Sequence, residues 1–285
     1  MSVFAHEPVI RMSAFVGVFA IMAVWELIAP RRALTVHKSV RWTNNLALVA
    51  LNTVALRVAL PIAATGLALH ATDQGWGLLQ QVELPEIFSV LTGIIVLDLA
   101  IFFQHVLFHA VPTLWRLHRV HHADLDFDVT TGTRFHPIEI FLSMAIKFAV
   151  ILAFGPPALA VLIFEVVLNA TAMFNHANVR IPSSLERMVR WFIVTPDMHR
   201  VHHSVLPNET NSNFGFNLAV WDRLFGTYRA QPAKGHTDMT IGLKNFRDPR
   251  KVDRLAGMLW LPFVGSVDKY AINDRSPPSI PKSPS

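Results

Sequence analysis

Apolar residues gather in five stretches along this chain, and the segments between them hold most of its charge. The first runs from Ser13 to Ala29. The second, Asn45 to Leu69, is interrupted by Arg57 and Pro61. The third covers Ile87 to Phe103 and leads into His105. The fourth and fifth, Ile138 to Phe154 and Ala158 to Phe174, are divided by Gly155-Pro156-Pro157. A helix needs about 20 apolar residues to cross a bilayer, and the first three stretches qualify with their flanks. The last two are shorter, and the Pro-Pro step breaks any helix through them. They predict a tight hairpin or a re-entrant pair.

The composition supports the same picture. Of 285 residues, 52% are hydrophobic, only 16% are charged, and the mean hydropathy is +0.38. A soluble domain carries about a quarter charged residues. The expected fold is therefore all-α: an integral-membrane bundle of about four transmembrane helices, the last two short hairpin segments, with a helical His-rich cap on the cytoplasmic side. The net charge of +5 fits basic cytoplasmic loops rather than nucleic-acid binding, because no aromatic-interleaved basic patch accompanies it. There is no cysteine, which excludes disulfides, thiolate metal sites and iron–sulfur clusters.

Charge also sets the expected orientation. Arg31, Arg32, Lys38 and Arg41 follow the first stretch, whereas the segment from His70 to Glu86 holds Asp73, Glu83 and Glu86 and no Lys or Arg. The positive-inside rule places 31–44 in the cytoplasm and 70–86 outside. The third span then delivers residues 105–136 to the cytoplasmic side, and a hairpin at 138–174 returns the chain to it. The N-terminal stretch reads as a retained anchor: its basic flank follows the apolar core, and Pro30 is no signal-peptidase site. Residues 183–194 mix basic and bulky apolar side chains and suit an interfacial helix. Four Pro and four Ser in the last ten residues predict a disordered tail from about residue 266.

The pentapeptide His-Arg-Val-His-His occurs twice, at 118–122 and 199–203, and His105 and His109 precede it at i, i+4. Positions i, i+3 and i+4 share a helical face, so each box is expected to aim three imidazoles at one point. Imidazole is the preferred nitrogen ligand for zinc, copper and iron. Three boxes exceed what one ion can use, so the pattern predicts a multinuclear site.

The order of these boxes resembles the fatty acid hydroxylase/sterol desaturase superfamily of integral-membrane oxygenases. So do the elements between them. Asp98 lies seven residues before His105; Phe135-His136-Pro137-Ile138-Glu139 is similar to the family's H-P-x-E turn; Asn213-Phe214-Gly215 and Trp221-Asp222 follow the last box; Leu224-Phe225-Gly226-Thr227-Tyr228 closes the match. The resemblance implies two irons ligated by histidines, with O2 as co-substrate. Its candidate metal ligands here are His105, His109, His118, His121, His122, His176, His199, His202 and His203. His136 joins them, although its turn also suits a structural role. On this reading residues 1–86 are membrane-anchoring helices, 87–229 the catalytic domain, and 230–285 a C-terminal extension.

Four carboxylates are candidates for supporting roles around the ligands: Asp98, Glu139, Asp197 and Asp222. Asp98 lies in an apolar stretch, where a charge is costly, and either orients a ligand imidazole or bonds to a neighbouring helix. Lys147 and Glu165 are placed to pair across the hairpin. Arg119 and Arg200 suit lipid head groups or carboxylates near the boxes. His6, His37, His70 and His236 fit no box and are expected to be solvated.

The resemblance implies hydroxylation or desaturation of a lipid: sterol, fatty acyl, sphingoid or carotenoid-type. Electrons must come from a separate donor (ferredoxin, cytochrome or reductase), because the chain carries no flavin or nicotinamide glycine fingerprint. A membrane metalloprotease is excluded: the one His-Glu pair, His6-Glu7, has Ile10 where the second histidine belongs. A metal-binding or transport protein without redox catalysis remains the alternative, disfavoured because the histidines cluster at span ends rather than at the bilayer midplane. A bacterial cytoplasmic membrane is the expected location, with the endoplasmic reticulum as the alternative.

Overall fold

The protein is described by a computed structural model covering residues 3–267 and 270–273. It is all-helical, and among the described residues there are isolated bridges but no strand. Among the described residues, five segments are long and apolar enough to cross a membrane, and the chain is an integral-membrane protein. They are α1 (Glu7–Ile28), α2 with α3 (Lys38–Ala59 and Ala64–Asp73), α4 (Glu86–Ala110), α6 (Pro137–Phe154) and α7 (Ala158–Asn175). Between them lies α5 (Pro112–His122). The remainder is short: α8 (Ser183–Val189), α9 (Pro196–His202), α10 (Pro207–Thr210), α11 (Val220–Leu224), α12 (Gly235–Asp238), α13 (Pro249–Val252) and α14 (Leu255–Trp260).

The breaks follow local chemistry. Pro61 ends α2, and α3 resumes at Ala64. Pro112 opens α5 after an extended Val111, because proline is tolerated in the first turn but not in the helix interior. Gly155 caps α6 in the left-handed region at φ 61°, and Pro156 and Pro157 carry the chain into α7. The expected hairpin therefore forms, and each arm is a full 18-residue helix. Gly77 lies against Gly155 so closely that a Cβ on it would meet the Gly155 nitrogen at 2.2 Å. This contact, with the bond from Gln80 Nε2 to Gly155 O at 2.7 Å, ties the hairpin tip to the α3–α4 connection.

The opposite ends of the spans meet in a polar layer. Arg41, at the start of α2, is fully buried and pairs with Asp124 and Asp128, while its Nη2 also donates to Thr131 Oγ1 at 3.0 Å. Glu26, near the end of α1, accepts from the backbone of Val129 at 2.7 Å and of Asn178 at 2.9 Å. The N-terminal spans thus hold the loops after α5 and α7 in place, beyond the anchoring role the sequence suggests.

The segment after residue 229 also differs from expectation. Leu243, Val252, Met258, Leu261, Tyr270 and Ala271 share one buried core with Trp115, Val120 and Leu125. Arg119, 1% exposed, donates to the carbonyls of Leu261, Val264 and Ser266, so it meets no lipid head group. The predicted disorder does not begin at 266, because Tyr270 and Ala271 are buried; the rest of that predicted tail lies outside the described residues. The 183–194 region forms α8 and a turn that exposes Leu185, Met188, Trp191 and Phe192, an apolar face of the kind expected at a membrane interface.

Candidate metal centre

Nine histidines converge at one end of the bundle in two buried groups. His105, His109, His118, His122 and His202 form one, and His121, His176, His199 and His203 the other. Within each group the nearest ring nitrogens all lie within 4.8 Å of one another. Each pentapeptide is shared between the groups, rather than aimed at one point as the spacing suggests. Successive helical residues are rotated by about 100°, so i and i+4 project together while i+3 leans the other way. His118 and His122 thus face the first group and His121 the second.

Hydrogen bonds fix the rings. Nδ1 of His105 donates to Phe214 O at 2.8 Å, Nδ1 of His202 to Ser212 O at 2.7 Å, and Nδ1 of His176 to Ala172 O at 2.7 Å. A carbonyl oxygen only accepts, so each of these neutral rings presents a bare Nε2 to the interior. His109 Nδ1 meets Asn211 Oδ1 at 3.0 Å, and His118 Nδ1 meets Glu139 Oε1 at 2.6 Å. Such outward bonds orient metal-binding imidazoles and raise their basicity.

The interior could hold cations. Nε2 of His105, His118 and His202 is buried without a hydrogen-bond partner. His109 Nε2 faces His122 Nε2 at 3.1 Å; His176 Nε2 faces His121 Nε2 at 3.1 Å and His199 Nε2 at 3.0 Å. Lone pairs crowded this way, in a buried site, match the needs of bound metal ions and of little else. Burial keeps the rings neutral. The imidazoles of His118 and His176 are pushed down to about 3, and those of His121, His122, His199, His202 and His203 lie well below the ordinary histidine range. A neutral imidazole is the form that ligates. An all-nitrogen donor set suits iron, copper or zinc.

The remaining candidates lie elsewhere. His136 caps α6: its Nδ1 accepts from Ile138 N at 3.2 Å, and its Nε2 faces Leu259 O at 3.3 Å, away from both groups. The H-P-x-E turn therefore contributes Glu139 to the site rather than His136. Asp98 accepts from Trp221 Nε1 at 2.8 Å and Leu218 N at 3.3 Å rather than from an imidazole, joining α4 to α11 and the residues just before it. Asp222 accepts from Phe214 N, Gly215 N and Thr227 Oγ1, and so holds the loop whose carbonyl orients His105. Asp197 pairs with Arg31 and Arg200, which anchors α9 to the end of α1. His236 is buried, not solvated: its Nε2 bonds Gln231 Oε1 at 3.0 Å and lies 3.6 Å from Asp197.

Sequence reasoning missed Asn211, Ser212 O, Phe214 O and Ala172 O. Three of these are backbone carbonyls, which carry no residue-type signal. It also missed a cavity of about 310 Å³ that runs from His105 and His118 between the spans, past Phe135, Ile140 and Met144, to the Lys147–Glu165 pair.

The chain matches the family described as fatty acid hydroxylase over residues 90–227. It is similar to ornithine lipid hydroxylase OlsE from Rhizobium tropici, at 31% identity over 157 residues, 55% of this chain and 46% of that protein. Alkylglycerol monooxygenase from Xenopus tropicalis is 25% identical over 195 residues, 66% of this chain and 42% of that protein. Cholesterol 25-hydroxylase from Rattus norvegicus is 29% identical over 160 residues, 53% of this chain and 51% of that protein. The chain spans about half the length of the curated relatives it matches. No solved structure matches it.

Proposed function

We propose, from the match of residues 90–227 to the fatty acid hydroxylase family, that this chain is a membrane-bound di-iron oxygenase that hydroxylates a lipid C–H bond. The observation that carries the proposal is the pair of buried, all-histidine groups beneath an apolar cavity. The catalytic unit centres on residues 87–229; the segment to residue 273 packs against it.

On this reading His105, His109, His118, His122 and His202 hold one iron, and His121, His176, His199 and His203 the other. Two irons so held would supply activation of O2 and removal of hydrogen from an unactivated C–H bond. The balance needs two electrons and two protons from outside: one oxygen atom enters the C–H bond and the other leaves as water. The electrons come from a separate ferredoxin, cytochrome or reductase. Desaturation shares the same first hydrogen removal; hydroxylation is preferred because the similar proteins are named as hydroxylases or monooxygenases.

The chain's own residues orient and exclude. Glu139 and the carbonyls of Phe214, Ser212 and Ala172 fix the ligand rings. Phe135, stacked on His121 with centroids 4.6 Å apart, and Phe216, 5.3 Å from His105, keep the cavity floor dry. Basic residues at 31–41 support a site on the cytoplasmic side, in a bacterial inner membrane or, alternatively, the endoplasmic reticulum.

The test is metal analysis of detergent-purified protein grown with iron, beside a His121→Ala/His202→Ala variant, which removes one ligand from each group. About two irons per chain, lost in the variant, support the proposal. No metal, or metal unchanged by the variant, overturns the site. Zinc alone leaves the geometry standing and removes the redox chemistry.

A further inference from the structure

Two buried amide oxygens, in residues that line the cavity, have no hydrogen-bond partner. Asn52, on α2, is 7% exposed and donates from Nδ2 to Phe135 O at 2.9 Å. That bond fixes the amide, because the flipped orientation would set oxygen against oxygen. Asn52 Oδ1 is therefore an acceptor; it is buried and unbonded, in a residue that lines the cavity. Gln104, one residue before His105, donates from Nε2 to Ser143 Oγ at 3.0 Å, and its Oε1 is likewise buried and unbonded. Gln104 and Ser143 line the same cavity. A buried acceptor without a donor is destabilising, so two around one cavity call for an occupant that satisfies them.

Their height is set by the helices. Gln104 adjoins the ligand His105, and Ser143 lies one turn beyond Glu139, the partner of His118. One turn is about 5.4 Å, so the polar band sits close above the histidines. The far end of the cavity holds Lys147 and Glu165, which pair with each other; Glu165 also pairs with Arg11. Two carbonyl oxygens repel a carboxylate or phosphate and attract an O–H or N–H.

The geometry points to Asn52 and Gln104 as the substrate-selecting residues of this cavity. They take a neutral hydrogen-bond donor, a hydroxyl or a secondary amide N–H, on an aliphatic chain. This rests on the oxygenase reading for the word substrate, and narrows it to lipids whose donor lies within a few carbon–carbon bonds of the oxidised position. Ethers, esters and plain alkyl chains lack the donor.

The experiment is native mass spectrometry of the purified wild-type protein with four probes of equal chain length. Two carry a donor, hexadecan-1-ol and N-hexadecylacetamide; two do not, hexadecyl methyl ether and hexadecane. Wild type should retain the donor-bearing probes roughly ten-fold better than the ether, the worth of one well-made buried hydrogen bond. Asn52→Leu should erase that preference while still binding the apolar probes. Gln104→Met, which leaves the Asn52–Phe135 bond intact, should weaken it and guards against misfolding of the first variant. Equal retention of all four probes, no retention of any, or a preference unchanged in both variants overturns the inference. An alcohol retained without the amide, or the reverse, assigns which donor the band accepts and supports it. Binding is read without turnover, so a protein that lacks iron yet keeps the preference would sink the oxygenase reading and leave the binding site standing.

Discussion

Nδ1 of His118 lies 2.6 Å from Oε1 of Glu139, and the Nε2 of the same ring is buried without a partner among four other imidazoles. One carboxylate on a membrane-spanning helix thus decides which nitrogen of an α5 imidazole faces the histidine group. Glu139→Leu removes the acceptor and frees the ring to turn. The expected outcome is a 10–100-fold loss of metal affinity, the usual effect of deleting such a partner. Glu139→Gln keeps an acceptor oxygen and should lose far less. Metal titration of the two variants checks this; equal loss in both would show that charge, not orientation, is what Glu139 contributes.

His136 separates structural from ligating histidines. Its Nδ1 accepts from Ile138 N at the start of α6, and neither ring nitrogen faces the other imidazoles. His136→Ala should cost about 1 kcal/mol of stability through the lost cap and leave metal content unchanged. His136→Asn, a good capping residue, should restore the stability. A fall in bound metal in both variants would return His136 to the ligand set.

How much of this was legible in the sequence follows from what periodicity encodes. The spacing of His118, His121 and His122 pointed to a cluster of imidazoles, because residue type and helical phase are both written in the chain. Which other histidines complete each group was not legible, since that depends on where α4, α7 and α9 arrive around α5. Asp98 illustrates the same limit: its burial was legible, its partner Trp221 was not. His236 looked like a surface residue because no box contains it, yet α12 packs it against Asp197 near α9. The cavity is lined from six different helices, and it and its two unbonded amide oxygens leave no local pattern.

His236 also sets a pH dependence away from the metal groups. Burial pushes its imidazole down to about 4, against 6.5 in an unfolded chain. Between those values the unfolded chain binds a proton that the folded chain refuses, so stability falls as pH falls from 6.5 to 4. At pH 4 this is worth on the order of 1–3 kcal/mol. His236→Gln should flatten the decline in thermal midpoint over that window by a corresponding amount. Parallel profiles for wild type and variant would show that His236 takes no part in the acid sensitivity.

The strap formed by the last described residues gives the most distant test of the site. Asn211 donates from Nδ2 to Tyr270 O at 2.9 Å, and its Oδ1 holds Nδ1 of His109. The Tyr270 ring stacks on Trp115 with centroids 5.8 Å apart, and Trp115 lies 4.7 Å from the His109 ring. Ile272 N also donates to His109 O at 2.9 Å. Truncation after Val267 removes all three restraints on one ligand of the five-histidine group and none of those on His176, His199 or His203. The expected result is metal loss several-fold faster from one of two sites, against an unchanged second site, in a chelator-competition time course. Tyr270→Phe in the full chain keeps the ring and the backbone carbonyl and deletes the hydroxyl bonded to Val205 O and Lys244 N. It should release metal at the wild-type rate. Uniform acceleration of both sites by the truncation would mean that the strap stabilises the whole cap rather than His109.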